Sequence, residues 1–598
     1  MSHTPADLPE NLIVPRTDAV YNCHAYLTKV PIGAIVPFIE TFTKPGDTVL
    51  DFFAGSGMTG LAAVRAGRRA EMSDISELGK HIATGYLTRI ERNTLRAGAE
   101  QATAAARKAL GNLYQTARVS DSKPEEMVRT VWSFTYRCPS CSDTLVYFEH
   151  ISPTGSPPTN CPKCDHAFVK RLWERGPDIP VQVVVRGEDG KLSEQLVSEI
   201  DLERIARAGT DSRQVKVPSL PIEEHREMFS RSGLGKVGLR ETKGFFSARN
   251  AIALYELWSA INLTRNSKLR QKLGFCFTAT LPRASRRYQW GPKRPLNAQN
   301  QTYYIAPIYY EWNIFELFER KVAAAIRADD ELYRPRDSFD TAAPATQVAA
   351  SYITASASNL AHLKDESIDY VFTDPPFGSN IFYSDMNLFH EAWIGKATNP
   401  ENEAVVHTTG KRKPGSAERY ERLLRAAFSE GFRVLRPGKY MSIVFGNSSG
   451  NVWGLMQRAL RDSGLDPTPV HISVLDKGQR SVKGLASGSE GVATVDLVLT
   501  VRKPCEGEKI QTIRLATAAS PRSCIADAIA SLSIEDAQNP SHVYARILRR
   551  AIKQHLPLDG FHLSDVLIAL RDAGYSIDPK SGLLIGPRKS RPFAPVGA

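Results

Sequence analysis

Residues 369–377 read Asp-Tyr-Val-Phe-Thr-Asp-Pro-Pro-Phe. A short apolar run ends in the carboxylate of Asp374, and Pro375, Pro376 and Phe377 follow it. Two prolines in succession fix φ and remove two N–H donors, so the chain leaves the strand stiffly and with its carbonyls open to donors. An acid, an open carbonyl and a ring face side by side suit a planar heterocycle with an exocyclic amine: two acceptors take the NH2 and the ring stacks. The same residues are also consistent with a strand that ends in a plain proline turn.

Upstream, residues 48–60 read Thr-Val-Leu-Asp-Phe-Phe-Ala-Gly-Ser-Gly-Met-Thr-Gly. Val49, Leu50, Phe52 and Phe53 form an apolar run that ends in a glycine turn, and a helix-like segment follows at 61–66. Strand, glycine turn and helix in that order begin a nucleotide-type α/β domain, because glycines let the backbone approach a ligand and the helix N-terminus favours negative charge. The glycine spacing is not the dinucleotide fingerprint, and no Gly-Lys-Ser/Thr follows to make a phosphate loop. A second short strand at 69–73 ends in Asp74, the position where such folds hold ribose hydroxyls.

Phe53-Ala54-Gly55-Ser56-Gly57 resembles the Phe-x-Gly-x-Gly motif of the amino-methylating DNA methyltransferases, and Asp374-Pro375-Pro376-Phe377 is similar to their Asp/Asn/Ser-Pro-Pro-Tyr/Phe catalytic motif. The resemblance implies S-adenosyl-L-methionine (AdoMet) as methyl donor and an amino nitrogen, N6 of adenine or N4 of cytosine, as acceptor. The leading Asp is similar to the adenine type. Asp51, Phe53, Ala54, Gly55 and Gly57 are then expected to shape the cofactor pocket, with Asp74 on its ribose. Lys29, in Lys-Val-Pro-Ile-Gly, is placed by the resemblance beside the cofactor's methionine end. Asn359 follows a strand at 351–355, where it either touches the cofactor's adenine or simply caps a turn. The wider stretch from Asp374 to Asn387, with Phe389 and Trp393 after it, is similar to the bacterial adenine-specific methylases that carry a zinc ribbon, often near phage-defence genes. The match covers about 45–110 and 350–500 well, the region between them loosely and the C-terminal tail least.

The order of these motifs fixes the organisation to expect. The glycine turn and Asp74 are followed by an Ala-rich helical stretch at 77–117, and the sheet pattern resumes only at 351–355 and 370–373. So long an interval cannot be a structureless loop and must fold on its own. The expected fold is α/β: a Rossmann-like, seven-stranded methyltransferase domain divided by a large insertion. Residues 1–117 carry its N-terminal part, 118–345 the insertion with a zinc ribbon at about 130–172 and a target-recognition segment, and 346–504 the catalytic part. Residues 505–598 form a linker and a small module, with helices at 540–554 and 563–573 and a hairpin after them. Such a unit could be winged-helix-like and bind DNA, or be a docking module. The order of cofactor motif, insertion and catalytic motif resembles the α-type arrangement of the family, in which the insertion carries target recognition.

Four of the eight cysteines are organised: Cys138-Pro-Ser-Cys141 and Cys161-Pro-Lys-Cys164. Two C-x-x-C knuckles about twenty residues apart match a four-thiolate structural zinc ribbon, with a redox pair as the alternative. A closed four-thiolate site has no open position for substrate. The other cysteines, Cys23, Cys276, Cys505 and Cys524, are isolated and read as inert thiols.

Of the 598 residues, 42% are apolar, enough for a full core, and Lys plus Arg (76) exceed Asp plus Glu (64) by 12, which suits a polyanionic partner. No basic-then-apolar leader opens the chain and no run of about 18 apolar residues occurs, so a cytoplasmic protein without a membrane span is expected. Within the insertion, Ser247 stands before an apolar helical period and reads as a helix cap. Arg283, Arg286, Arg287, Tyr288 and Trp290, with further aromatics up to Trp312, suit phosphate contact and base stacking. They read equally as a solvated basic loop followed by an aromatic core strand. Lys411 and Arg412, after the catalytic strand, are a second candidate for the DNA backbone.

The sequence therefore points to an enzyme that methylates adenine N6 in double-stranded DNA, in restriction–modification or phage defence, with other defence subunits as possible partners. The alternatives are an N4-cytosine enzyme, a methyltransferase acting on RNA or a protein amide, and a DNA-binding subunit without catalysis.

Overall fold

The computed structural model describes residues 8–13, 18–118, 124–187, 189–292, 303–334, 349–378, 381–407, 412–476, 493–508, 520–532, 539–578 and 582–586. The apolar runs found in the sequence become the centre of one large sheet. In chain order its strands are β1 (Asn11–Ile13), β2 (Thr48–Asp51), β3 (Arg69–Asp74), β4 (Ala350–Thr354), β5 (Ile368–Thr373), β6 (Leu435–Phe445), β7 (His471–Asp476) and β8 (Val495–Arg502). Their spatial order is β1-β7-β8-β6-β5-β2-β3-β4. Only β8 runs against its neighbours β6 and β7; every other pair is parallel. Seven strands were expected and eight are present. The extra one, β1, is three residues long and too short to show a period, but it adds in parallel to the β7 edge, Asn11 opposite Val474.

Residues of β2 and β5 alternate between the two faces, as a sheet covered on both sides requires. Val49, Tyr370 and Phe372 join one core cluster, and Leu50, Phe52 and Val371 join the other. The strand order changes direction between β2 and β5, since β3 and β4 lie on one side and β6 on the other. Parallel strands that diverge in this way leave a crevice beyond their carboxyl ends. Asp51, Asp74 and Thr373 are the last residues of β2, β3 and β5.

Five helices frame that crevice: α1 (Met58–Arg65), α2 (Glu77–Leu87), α3 (Tyr383–Ile394), α4 (Ser416–Val434) and α5 (Gly450–Arg461). The Ala-rich stretch expected as one helix is two, α2 and Arg92–Leu110, because Glu91 caps the second by accepting from the amides of Asn93 and Thr94.

The chain between β3 and β4 builds its own antiparallel sheet. Pro124–Ser133 pairs with Ile179–Arg186, Ile308–Trp312 and Gln115–Ala117, and Ile179–Arg186 pairs in turn with Leu192–Leu196. The helix Ala248–Asn262 packs beside it, capped by the Ser247 hydroxyl, which accepts from the Asn250 amide. Beyond β8, helices Pro521–Ala530, Pro540–Lys553 and Leu563–Asp572 and a two-stranded hairpin (Ser576–Ile577 with Leu584–Ile585) follow. Val543, Tyr544, Ile547 and Leu548 share a core with Trp453 of α5 and Leu497 of β8. The contact is close: a Cβ on Gly454 would lie 2.1 Å from Asp559 Oδ1. The helix at Pro521–Ala530 was not anticipated.

The core of the inserted sheet encloses an ion pair. Arg249 and Glu311 are 2% and 1% exposed in their side chains. Glu311 also accepts from Trp132 Nε1 at 2.9 Å, and Arg249 Nη2 donates to Thr130 Oγ1 at 2.8 Å. Removing one partner leaves a buried, unmatched charge. Glu311→Ala is expected to lower stability by about 3–5 kcal/mol, while an Arg249→Met/Glu311→Leu pair loses much less; urea unfolding of both variants checks this.

Candidate active site

The crevice is a cleft with about 980 Å³ of open space, counting its mouth. Lys29, Asp51, Phe53, Ala54, Gly55, Asp74, Asp374 and Pro376 line it. Residues that are over 300 positions apart in the chain thus meet at one place.

Asp51 is buried at the end of β2. Its Oδ1 accepts from the Phe53 amide at 3.0 Å and from Thr373 Oγ1, across on β5, at 2.8 Å. Burial pushes its pKa up to about 6, and the hydrogen bonds from Thr59, Thr373 and Phe53 hold it down from a larger rise. The turn then passes Gly55 (φ +46°) and Gly57 (φ +81°), both left-handed, and Gly57 opens α1. A Cβ on Gly57 would sit 2.6 Å from the Cβ of Ala83 on α2, so only glycine fits. Asp74 closes the turn: its Oδ2 accepts from the Gly55 amide and its Oδ1 from the Ser76 amide, each at 2.9 Å. Burial pushes its pKa up, and these amides oppose the rise.

The segment after β5 is held from behind. Tyr420 Oη on α4 donates to the Pro376 carbonyl at 2.6 Å, and Asn447 Nδ2, just past β6, donates to the Phe377 carbonyl at 2.7 Å. Neither takes the Pro375 carbonyl, the acceptor that the sequence pairs with Asp374. Phe377 meets Phe445 edge to face, centroids 5.3 Å apart, and Gly378 turns the chain at φ +75°. Tyr383, the first residue of α3, stands near enough for the charge of Asp374 to add to the burial that raises its own pKa. Its hydroxyl is 2.7 Å from Thr28 Oγ1.

Several side chains that sequence reasoning passed over complete this wall. Tyr26, Ser76, Tyr383, Asn387 and Glu403 all line the cleft. Glu403 is 3% exposed and accepts from the amides of Tyr383 (2.5 Å) and Ser384 (3.3 Å), fixing the start of α3. Burial pushes its pKa up to about 7. Tyr383 and Asn387 lie four residues apart in the helix that follows the Asp-Pro-Pro-Phe motif, a spacing that puts them on one face. Glu403 has no local signal.

Other candidates fall elsewhere. Gly57, Pro375 and Phe377 are not among the lining residues of the cleft. Lys29 lines it but turns its ammonium to the carbonyls of Tyr21 and His24 (2.8 Å to the latter), and burial lowers its pKa to about 7. Asn359 is an exposed turn residue whose side-chain oxygen accepts from the Ala361 amide at 3.1 Å, so it caps a turn, and Ser356 and Ser358 line the cleft instead.

The basic and aromatic segment corrects the expectation of DNA contact at two positions. Arg287 is 2% exposed and lies over the rings of Tyr303 and Phe389, and Tyr288 is 6% exposed and packs against Tyr310 and Trp312. Both are in the interior, and Ile308–Trp312 is a fully buried core strand. Arg286 is bound to Asp178 at 3.1 Å, Trp290 packs on Phe148, and Arg283 lies over Tyr288. Arg412 pairs with Glu401 at 2.7 Å, and Lys411 lies outside the described residues.

The cysteines converge on a small three-stranded sheet (Thr135–Arg137, Thr144–Val146, Glu174–Arg175). Cys138 and Cys164 Sγ are 3.6 Å apart, Cys141 and Cys161 Sγ are 3.7 Å apart, and all four lie within 4.8 Å of one another. A tetrahedron with metal–sulfur bonds of about 2.3 Å has edges of about 3.8 Å, so the four thiolates fit a zinc ion. Each knuckle ends in a left-handed residue, Ser142 (φ 60°) and Asp165 (φ 58°). Cys23 and Cys276 are buried apart from this group, and burial raises the Cys23 thiol to about 11.

Comparison with known proteins bears on the first of these segments. A family model for N6/N4 methyltransferases, described as DNA methylase, matches residues 10–85. A curated relative from Escherichia coli (strain K12), "Putative methylase YubD", is 52% identical over 42 residues, which are 7% of this chain and 18% of that protein. The chain therefore spans under a fifth of that relative's length. The solved structure of TTHA0409 from Thermus thermophilus, named a DNA modification methylase, is 19% identical over 30% of this chain and 59% of that one, with a TM-score of 0.15, a likeness that carries no structural argument. The glycine turn and Asp74 fall inside the matched segment, and residues 10–85 thus mark the chain as one of the amino-methylating (N6/N4) DNA methyltransferases.

Proposed function

We propose that this protein transfers a methyl group from AdoMet to the N6 amino group of adenine at specific sites in double-stranded DNA. The observation that carries the reading is one cleft lined by both the glycine turn with Asp74 and by Asp374. A donor held on the first faces an acceptor held at the second.

AdoMet supplies an electrophilic methyl on a sulfonium. The turn from Phe53 to Gly57 receives it and Asp74 takes its ribose. The target base leaves the helix, because its amine is out of reach inside a duplex. Asp374 and the Pro375 carbonyl accept the two amino hydrogens, and Phe377 stacks on the ring. These contacts localise the nitrogen lone pair and aim it at the methyl carbon. A nitrogen–carbon bond forms as the carbon–sulfur bond breaks, and Asp374 is placed to receive the proton that the nitrogen gives up. Holding Pro376 and Phe377 by Tyr420 and Asn447 keeps the acceptor pair in place before the base arrives. The same pair would hold the amine of cytosine, so N4-cytosine methylation is the alternative; the leading Asp favours adenine by resemblance.

The Rossmann-like domain in this reading is the large sheet without β1, the inserted chain carries target recognition, and the four cysteines hold a structural zinc. The setting is a cytoplasmic restriction–modification or phage-defence system.

Incubation with methyl-labelled AdoMet and duplex DNA, followed by digestion to nucleosides and mass spectrometry, is expected to place the label in N6-methyladenine. Label in N4-methylcytosine, or only in RNA or protein, overturns the assignment. Metal analysis of the purified protein is expected to find one zinc per chain, and Cys138→Ser/Cys161→Ser to lose it together with stability; a metal-free wild type of full stability would refute the zinc site.

A further inference from the structure

Asn387 is 1% exposed, on α3, and lines the cleft. Its Nδ2 donates to Ser76 Oγ at 3.0 Å, but its Oδ1 has no hydrogen-bond partner among the described residues. A buried amide oxygen left without a donor costs about 1–3 kcal/mol, and buried polar atoms in native proteins are nearly always matched. Here the unmatched oxygen lies in the wall of a ligand-sized cleft, so a bound ligand is the natural source of the missing donor.

The surroundings indicate which donor. Ser76 accepts from Asn387 and gives its own amide to Asp74 Oδ1 at 2.9 Å; it also caps α2 by accepting from the Gly79 amide at 2.8 Å. Asn387 and Asp74 are thus joined through one residue. Each Asp74 oxygen takes one backbone amide and has a second lone pair to offer. A carboxylate and an amide oxygen, both acceptors and so linked, match two adjacent hydroxyl groups, which are both donors. An amine would meet the same acceptors, but the acid at the end of the second strand is the ribose position of such sheets.

We propose that Asn387 Oδ1 accepts a hydrogen bond from a ribose hydroxyl of the bound cofactor, dividing the vicinal diol with Asp74. This rests on the AdoMet-dependent reading above. Sequence reasoning had no access to it, since Asn387 reaches the cofactor side of the cleft from the helix that follows the catalytic motif.

The test is isothermal titration calorimetry of the full-length protein with S-adenosylhomocysteine and its 2′-deoxy and 3′-deoxy counterparts. Asn387→Leu is expected to weaken S-adenosylhomocysteine about tenfold. For one of the two deoxy ligands, the penalty for the missing hydroxyl should be about tenfold smaller in the variant than in the wild type. Should Asn387→Leu lower the melting temperature of the ligand-free protein, Asn387→Ala is read in the same way. Variants that bind S-adenosylhomocysteine as tightly as the wild type, or deoxy penalties equal in variant and wild type, overturn the assignment while leaving the methyltransferase reading intact. A wild type that binds no S-adenosylhomocysteine overturns both.

Discussion

The hydrogen bond from Thr373 Oγ1 to Asp51 Oδ1, 2.8 Å long and fully buried, joins the two halves of the site. Asp51 ends the strand that enters the glycine turn, and Thr373 is the last residue before Asp374. The strands are parallel neighbours, with Tyr370 opposite Val49, so both segments emerge at the same edge of the sheet. Asp51 also takes the Phe53 amide where the turn begins. One carboxylate therefore sets where the donor loop starts and where the acceptor loop starts. Burial raises the pKa of Asp51 to about 6, so a buried acid is tolerated at this junction because three hydrogen bonds meet it.

The second support is α3. Glu403 fixes its first turn, while the inserted chain grips Asp385: Arg226 Nη1 donates to Oδ1 and the Met228 amide to Oδ2, each at 3.0 Å. Tyr303 reaches the Asp385 carbonyl from the same side. The insertion is thus attached to the helix that carries Tyr383 and Asn387 into the cleft, and a shift of one would be felt by the other. This arrangement has a pH signature. Glu403 is raised from 4.5 to about 7, so between those values the folded protein binds more protons than the unfolded chain. Its share of stability therefore falls as pH rises through that window and is constant above it.

What was legible in the sequence was local backbone chemistry. Two prolines after an acid, and glycines that only a left-handed turn explains, leave marks that survive without tertiary information. Burial left no such mark. Arg287 and Tyr288 look like a DNA-contacting pair by composition, yet aromatic faces in the interior accept a guanidinium as readily as a base would. Lys29 and Asn359 were placed by resemblance, and their side chains turn to nearby backbone instead. Glu403 and Asn387 matter only because α3 brings separate segments together. The strand β1 is a three-residue addition at an edge, below the length at which alternation can be seen.

The central claim is that donor and acceptor sites are distinct walls of one cleft, with Asp374 serving only the acceptor. AdoMet binding and methyl transfer to DNA, measured side by side in wild type and Asp374→Ala, test it most directly. The account predicts affinity for AdoMet within about twofold of wild type and transfer reduced by about a hundredfold or more. Transfer at the wild-type rate in Asp374→Ala would contradict it.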